Sequence, residues 1–343
     1  MANISYHKER DIINQEKLSE ILTTLPDYVP DFFIAIENNS STLTRLNYGY
    51  DLRLFFEYLS NKLNKKIADI TLEDLDNVKA RDIERFLSYI SYYEKDGKTY
   101  INKERGKARK LSALRSFFKF LFNSDLISSN VITKISTPKI HQKEIIRLEV
   151  DEVVKLLNQA ENPTNLTKRE QGYNKITKER DLAIMSVFLG TGIRISELVG
   201  LNIDDIDFNN NSFKITRKGG NEVVLYFSDE VKDALLSWLK IRNDIETIDK
   251  DEKALFLSLQ RKRITPRAVE NLVKKYSQAV TPLKKISPHK LRSTYGTNLY
   301  RETKDIYIVA DVLGHKDVNT TKKHYAAISE DIRRNASTKV KLR

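Results

Sequence analysis

Residues 136–147, Ser-Thr-Pro-Lys-Ile-His-Gln-Lys-Glu-Ile-Ile-Arg, are polar and carry no apolar period. This gap constrains the fold more than any other stretch, because the patterns on its two sides differ. A length of 343 residues accommodates about two domains. Before the gap, apolar residues recur at helical spacing. Ser40-Ser41-Thr42 forms a helix cap, and Leu43, Leu46, Tyr50, Leu54 and Tyr58 follow as one expected face. Ile83, Phe86, Leu87 and Ile90 mark a second helix. Leu111, Leu114, Phe118 and Leu121 mark a third. Residues 1–38 are modestly helical and interrupted at Asp27–Pro30, and Glu94–Lys98 reads as a turn. The expectation is a small all-α domain over residues 1–138, with three or four helices, then a linker over 139–147 with His141 on its surface.

After the gap the pattern is mixed. Leu148–Val153 opens a helix, residues 162–178 are polar and read as a loop, and Leu182–Leu189 is an apolar helix ended by Gly190 and Gly192. A short helix is expected over 193–198. Three short β-like runs follow, at Ile206–Phe208, Phe213–Ile215 and Val223–Phe227. Lys218-Gly219-Gly220-Asn221 joins the last two as a hairpin, which puts Lys218 at its tip. Helices resume from Ser228 to about Ile248, at Thr265-Pro266 and at Ser287-Pro288. A last one over Ile306–Leu313 is stopped by Gly314. Residues 148–343 are thus a second, mixed domain. The fold class is mainly α with a small β-sheet.

The chemistry gathers in this second half. In chain order the candidate groups are Arg194, Lys218, His289, Arg292, His315 and Tyr325. They comprise one nucleophile and five groups that can be cationic or donate protons. A reaction at a phosphate asks for this set, since a nucleophile attacks phosphorus while fixed donors stabilise charge on the non-bridging oxygens. Glu197, three residues after Arg194, is placed to hold the arginine fork. Spacing of three puts His289 and Arg292 on one helical face. Asp204, Asp205 and Asp207 read as caps and turn residues and not as a two-metal site. The chain has no cysteine, so thiolate metal sites and disulfides are excluded. Neither a metal nor a cofactor is expected.

Charge supplies the partner. The net charge is 59 − 47 = +12, a surplus that suits a polyanion such as nucleic acid. Between Lys103 and Lys119 there are seven basic residues and one acidic. Arg105, Arg109, Ser112, Ser116 and Lys119 fall opposite the leucines of the third helix, a face suited to a DNA groove. The N-terminus lacks an apolar signal core, and no run approaches a membrane span, so a cytoplasmic protein is expected.

Together, Gly192-Ile193-Arg194-Ile195-Ser196-Glu197-Leu198, His289-Lys290-Leu291-Arg292, and Leu313-Gly314-His315 with Thr320-Thr321 and Tyr325 resemble the tyrosine recombinases. The closest likeness is to bacterial Xer recombinases and compact integrases of mobile elements. The resemblance implies an N-terminal helical, SAM-like core-binding domain and a catalytic domain that form a C-shaped clamp on DNA. It makes Arg194 and Arg292 the arginines that grip the scissile phosphate, with Glu197 supporting the first. Lys218 becomes the hairpin lysine, His289 and His315 the two histidine positions, and Tyr325 the nucleophile. The implied activity is site-specific recombination of double-stranded DNA through a 3′-phosphotyrosyl intermediate. A homo-tetramer would act on two sites, from subunits that are monomeric or weakly associated when free. A C-terminal tail passed to the neighbouring subunit is part of that expectation. Type IB topoisomerase chemistry and non-catalytic DNA binding are the alternatives. The residues leave open whether the role is chromosome dimer resolution or movement of an integrative element. Tyr325 lies ten residues after His315, one more than in many Xer proteins.

Overall fold

The structure, a computed structural model, describes residues 5–140, 146–164, 168–217, 220–248, 253–315, 317–318 and 321. It divides into two compact units, Met1–Lys143 and Glu144–Arg343. His141 lies outside the described residues.

The first unit is helical, with more helices than the periodicity predicts. They are α1 (Tyr6–Leu22), α2 (Val29–Ala35), α3 (Thr42–Leu63), α4 (Leu72–Asp76), α5 (Ala80–Tyr89) and α6 (Glu104–Asn123). Pro30 does not interrupt a helix. It sits in the first turn of α2, where its missing N–H costs nothing. Ser41 caps α3 as expected, its hydroxyl accepting from the Thr44 N–H at 3.3 Å. The buried face of α3 matches the one read only in part. Leu46 and Leu54 are buried as expected, Leu43 and Tyr50 are exposed, and Gly49, Leu52, Phe55, Phe56 and Leu59 are buried beside them. Leu18 and Ile21 of α1 lie over Gly49, and Phe55 and Phe56 meet Phe86 of α5 and Phe117 and Phe118 of α6. The Glu94–Lys98 turn is the tip of a hairpin, β1 (Tyr92–Lys95) against β2 (Lys98–Ile101). Asp96 and Gly97, both at positive φ, make its two-residue turn.

The core of this unit is aromatic. Phe117 of α6 is fully buried, with its ring centroid 5.3 Å from Phe32 and 6.0 Å from Phe56. Phe117→Ala removes those contacts and leaves a cavity, so a loss of about 3–5 kcal/mol is expected in this unit. Trp238, the one tryptophan of the chain, lies in the second unit. Urea unfolding followed by circular dichroism should therefore shift far more than unfolding followed by tryptophan fluorescence. Equal shifts would mean that the two units unfold together.

The second unit holds α7 (Val150–Glu161), α8 (Lys168–Thr191), α9 (Ile195–Gly200), β3 (Ile206–Asp207), β4 (Ser212–Thr216) and β5 (Glu222–Tyr226). Then come α10 (Asp229–Arg242), α11 (Pro266–Val280), α12 (Pro288–Thr303) and α13 (Ile306–Leu313). The strands form one antiparallel sheet in the order β3-β4-β5, as the alternation predicts. The polar loop expected over 162–178 is corrected: residues 168–178 are the first turns of α8. Gln171, Tyr173 and Ile176 are exposed there, so no apolar stripe signals the helix. Long-range bonds hold it instead. The Tyr276 hydroxyl lies 2.9 Å from Asp181 Oδ2 and 3.2 Å from Asn174 Oδ1, and Arg180 donates to the Leu257 carbonyl at 2.7 Å. α8 packs against α7, α10 and α12 at the centre of the unit. Among the described residues, no helix is long and apolar enough to cross a membrane.

Candidate active site

Two sharp corners build the site. The first follows α8, where Gly192 at φ +63° turns the chain into α9. Tyr295 presses against it, so closely that a Cβ there would lie 2.4 Å from the ring. Arg194 is the N-cap of α9. Its N–H donates to Glu197 Oε2 at 2.9 Å, and its Nη1 donates to Glu197 Oε1 at 2.8 Å. One buried carboxylate thus caps the helix and fixes the guanidinium, as spacing of three allows.

The second corner is the end of α13. Gly314, at φ +60° and ψ +50°, ends the helix in the left-handed conformation that glycine adopts without penalty. The Gly314 N–H donates to the Asp311 carbonyl at 2.8 Å, and the His315 N–H donates to that of Ala310 at 2.9 Å. This is the paired bonding of a Schellman end, and it leaves the Val312, Leu313 and Gly314 carbonyls facing outward from the helix terminus.

Arginines take those carbonyls. Arg194 Nη2 donates to Leu313 O at 3.3 Å and Gly314 O at 3.0 Å. Arg292, in the second turn of α12 and only 6% exposed, donates to Leu313 O and to Gly192 O. Arg194 and Arg292, 98 positions apart in sequence (292 − 194), therefore meet on one oxygen. Their mutual repulsion is offset by Glu197 and by the negative end of the α13 dipole. A third guanidinium, absent from the set singled out in the sequence, joins them. Arg217, at the end of β4, donates through Nη2 to Val312 O at 2.9 Å. Burial and the charge of Arg194 lower its pKa, and Glu197 opposes them. The only sequence signal for Arg217 is its place beside Lys218.

The histidines occupy different settings. His315 Nδ1 lies 2.7 Å from the hydroxyl of buried Thr321. His289 is exposed in the first turn of α12, one turn before buried Arg292. Lys218 and Tyr325 lie outside the described residues, as does Thr320. The turn that holds Lys218 is closed on both sides: the Arg217 N–H donates to Asn221 O at 2.8 Å, and the Gly220 N–H to Arg217 O at 3.0 Å. The aspartates read as caps behave so. Asp205 accepts the Asn202 N–H, Asp207 those of Asn209 and Asn210, and Asp204 pairs with Lys253. Three guanidiniums outnumber the two carboxylates that act on Arg217, those of Glu197 and Asp311, so the site stays cationic. It is a cluster of oriented N–H donors suited to a phosphate diester.

In the first unit, the face predicted to meet DNA divides. Arg105 and Lys119 are exposed, with no ion pair among the described residues. Ser112 is exposed and donates to the Ala108 carbonyl at 3.0 Å, and Ser116 is half-buried. Arg109 is exposed but forks onto the buried carboxylate of Asp51, its Nη2 at 2.8 Å from Oδ1. Lys110 is itself buried, and Arg115 donates to Thr137 and to the Ile135 carbonyl. Part of the basic run therefore ties the unit together.

The phage integrase family model matches residues 146–331, and the phage integrase N-terminal SAM-like domain matches residues 31–124. Tyrosine recombinase XerS of Streptococcus mutans serotype c is 33% identical over 355 residues, covering 95% of this chain and 98% of the relative. Tyrosine recombinase XerC of Thermodesulfovibrio yellowstonii is 32% identical over 306 residues, covering 88% and 92%. Among solved structures, the XerH site-specific recombinase bound to a palindromic difH substrate superposes with a TM-score of 0.67. It is 20% identical and covers 87% of this chain and 80% of that one. A lambda integrase tetramer bound to a Holliday junction gives 0.62 at 16% identity, with coverage of 87% and 76%. These last two likenesses speak for the fold.

Proposed function

The chain belongs to the phage integrase family and is a tyrosine recombinase of the Xer type, and on that premise we propose how it acts and with which residues. It binds double-stranded DNA, with Arg105, Ser112, Ser116 and Lys119 of α6 toward the groove, while Arg109, expected there from the sequence, is held on Asp51. Tyr325 is the nucleophile. Its hydroxyl oxygen attacks the scissile phosphorus and the bond to the 5′-oxygen breaks, giving a 3′-phosphotyrosyl link and a 5′-hydroxyl. Lys218 supplies the proton that the leaving 5′-oxygen takes up. Arg194, Arg292, His289 and His315 donate to the non-bridging oxygens as charge builds there, and Glu197 holds Arg194 in place. The link conserves the energy of the broken bond. A 5′-hydroxyl from a partner strand then reverses the step without an outside energy source. Four copies on two sites exchange strands in two rounds, and the C-terminal tail couples neighbours.

The observation that carries this reading is the meeting of Arg194 and Arg292 on the Leu313 carbonyl, at the corner that leads to His315. Fixed donors from separate elements, aimed at one oxygen, are what a phosphorane-like transition state requires. The test is a plasmid carrying two directly repeated copies of the target site, the site being recovered from DNA bound in cells. A deletion circle is the expected product. Relaxed plasmid without deletion would point to type IB topoisomerase activity, and unchanged plasmid to a DNA-binding role without chemistry.

A further inference from the structure

Arg217 has no part in the mechanism above, yet it is built into the site. Its backbone closes the turn that carries Lys218. Its side chain leaves that turn and crosses to α13, where Nη2 donates to Val312 O at 2.9 Å. The guanidinium lies against Gly314, where a Cβ would come within 2.1 Å of Nη1 and 2.3 Å of Cζ. Only a glycine corner admits it. Its Nε is buried and, among the described residues, has no hydrogen-bond partner. An unpaired buried donor is costly, and an arginine at a strand end could relieve the cost by turning to water. The side chain stays, which argues that its place against the corner is specific. Arg194, Arg217 and Arg292 then hold three consecutive carbonyls, those of Val312, Leu313 and Gly314.

We infer that Arg217 is a positioning residue that pins the Lys218 turn to the Val312–Gly314 corner, so that the hairpin lysine and His315 address the same phosphate. The inference rests on the recombinase reading above. It differs from a purely structural role because its effect on cleavage passes through Lys218.

Single-turnover cleavage of a suicide substrate by the full chain tests it. Arg217→Ala is expected to slow formation of the covalent complex about tenfold to a hundredfold, within the range of a misplaced general acid. Half-site binding in a gel shift should stay within about twofold. Made in a Lys218→Ala background, the same change should cost less than about threefold, because residues acting as a unit are not additive. A substrate with a 5′-bridging sulfur, a better leaving group, should recover much of the Arg217→Ala loss. Arg217→Gln keeps a donor for Val312 O and should fall between the native protein and Arg217→Ala. Its melting temperature, with that of Arg217→Ala, reports whether either variant is misfolded, and the coupling can be read from whichever folds. An undiminished loss in the Lys218→Ala background, or equal slowing of both substrates, overturns the inference. Failure of the native protein to form any covalent complex overturns the recombinase reading itself, and this inference with it.

Discussion

Tyr325→Phe is expected to bind site DNA as the native protein does and to form no covalent complex with it. Phenylalanine keeps the ring and its packing and removes only the attacking oxygen. Loss of a nucleophile with the rest of the site intact should lower cleavage by roughly 10⁴-fold or more. Tyr325 lies outside the described residues. Thr321, four positions earlier, is buried with its hydroxyl 2.7 Å from His315 Nδ1. Three other tyrosines of this unit are less suited. The Tyr295 hydroxyl is pushed above its ordinary pKa by burial, which disfavours the phenolate. The same holds for Tyr276, raised by burial and by Asp181. Tyr307 is 70% exposed near the start of α13, at the opposite end from Gly314. The measurement is a suicide substrate run on a denaturing gel. A covalent band from the Phe variant would move the nucleophile to another residue and undo the assignment.

Lys218→Ala should slow cleavage by about a hundredfold to ten-thousandfold, the usual range for a lost general acid. The affected step is protonation of the departing 5′-oxygen. A 5′-bridging sulfur leaves readily as a thiolate and needs no such proton, so it should restore much of the rate. Binding should change little, since a single cation at a hairpin tip adds one phosphate contact at most. If the sulfur substrate is slowed as much as the oxygen one, Lys218 serves binding or structure and the acid must be sought elsewhere. His289, exposed one turn before Arg292, would be the next group to substitute.

Several features could be read from sequence because they are local. Ser41 and Thr265 announce helix starts through hydroxyl side chains that accept the first free N–H groups. Gly314 announces a helix stop, since left-handed backbone at a helix end selects glycine. The three strands of the small sheet follow from alternation and from their turns. The pairing of Arg194 with Glu197 needs only a spacing of three in a short helix. Each signal lies within a few residues of what it predicts.

Tertiary contact decided the rest. The first turns of α8 carry no apolar stripe; Asn174 meets the Tyr276 hydroxyl, and just beyond them Asp181 meets the same hydroxyl and Arg180 the Leu257 carbonyl, partners distant in sequence. Their polar composition reads as a loop until those partners are known. The inward face of α3 is set by where α1, α5 and α6 pack against it. Arg109 looks from helical spacing like a free cation, but a buried Asp51, 58 positions away (109 − 51), claims its fork. At the site, the sequence supplied Arg194, Arg292 and His315 as residue types in order. It could not show that two of the guanidiniums share the Leu313 carbonyl, or that Arg217 lies against Gly314 beside them. Periodicity and capping are properties of neighbouring residues, so sequence determines them directly. The convergence of donors from α9, β4 and α12 on one helix end depends on how those elements pack, and only the folded chain brings them there.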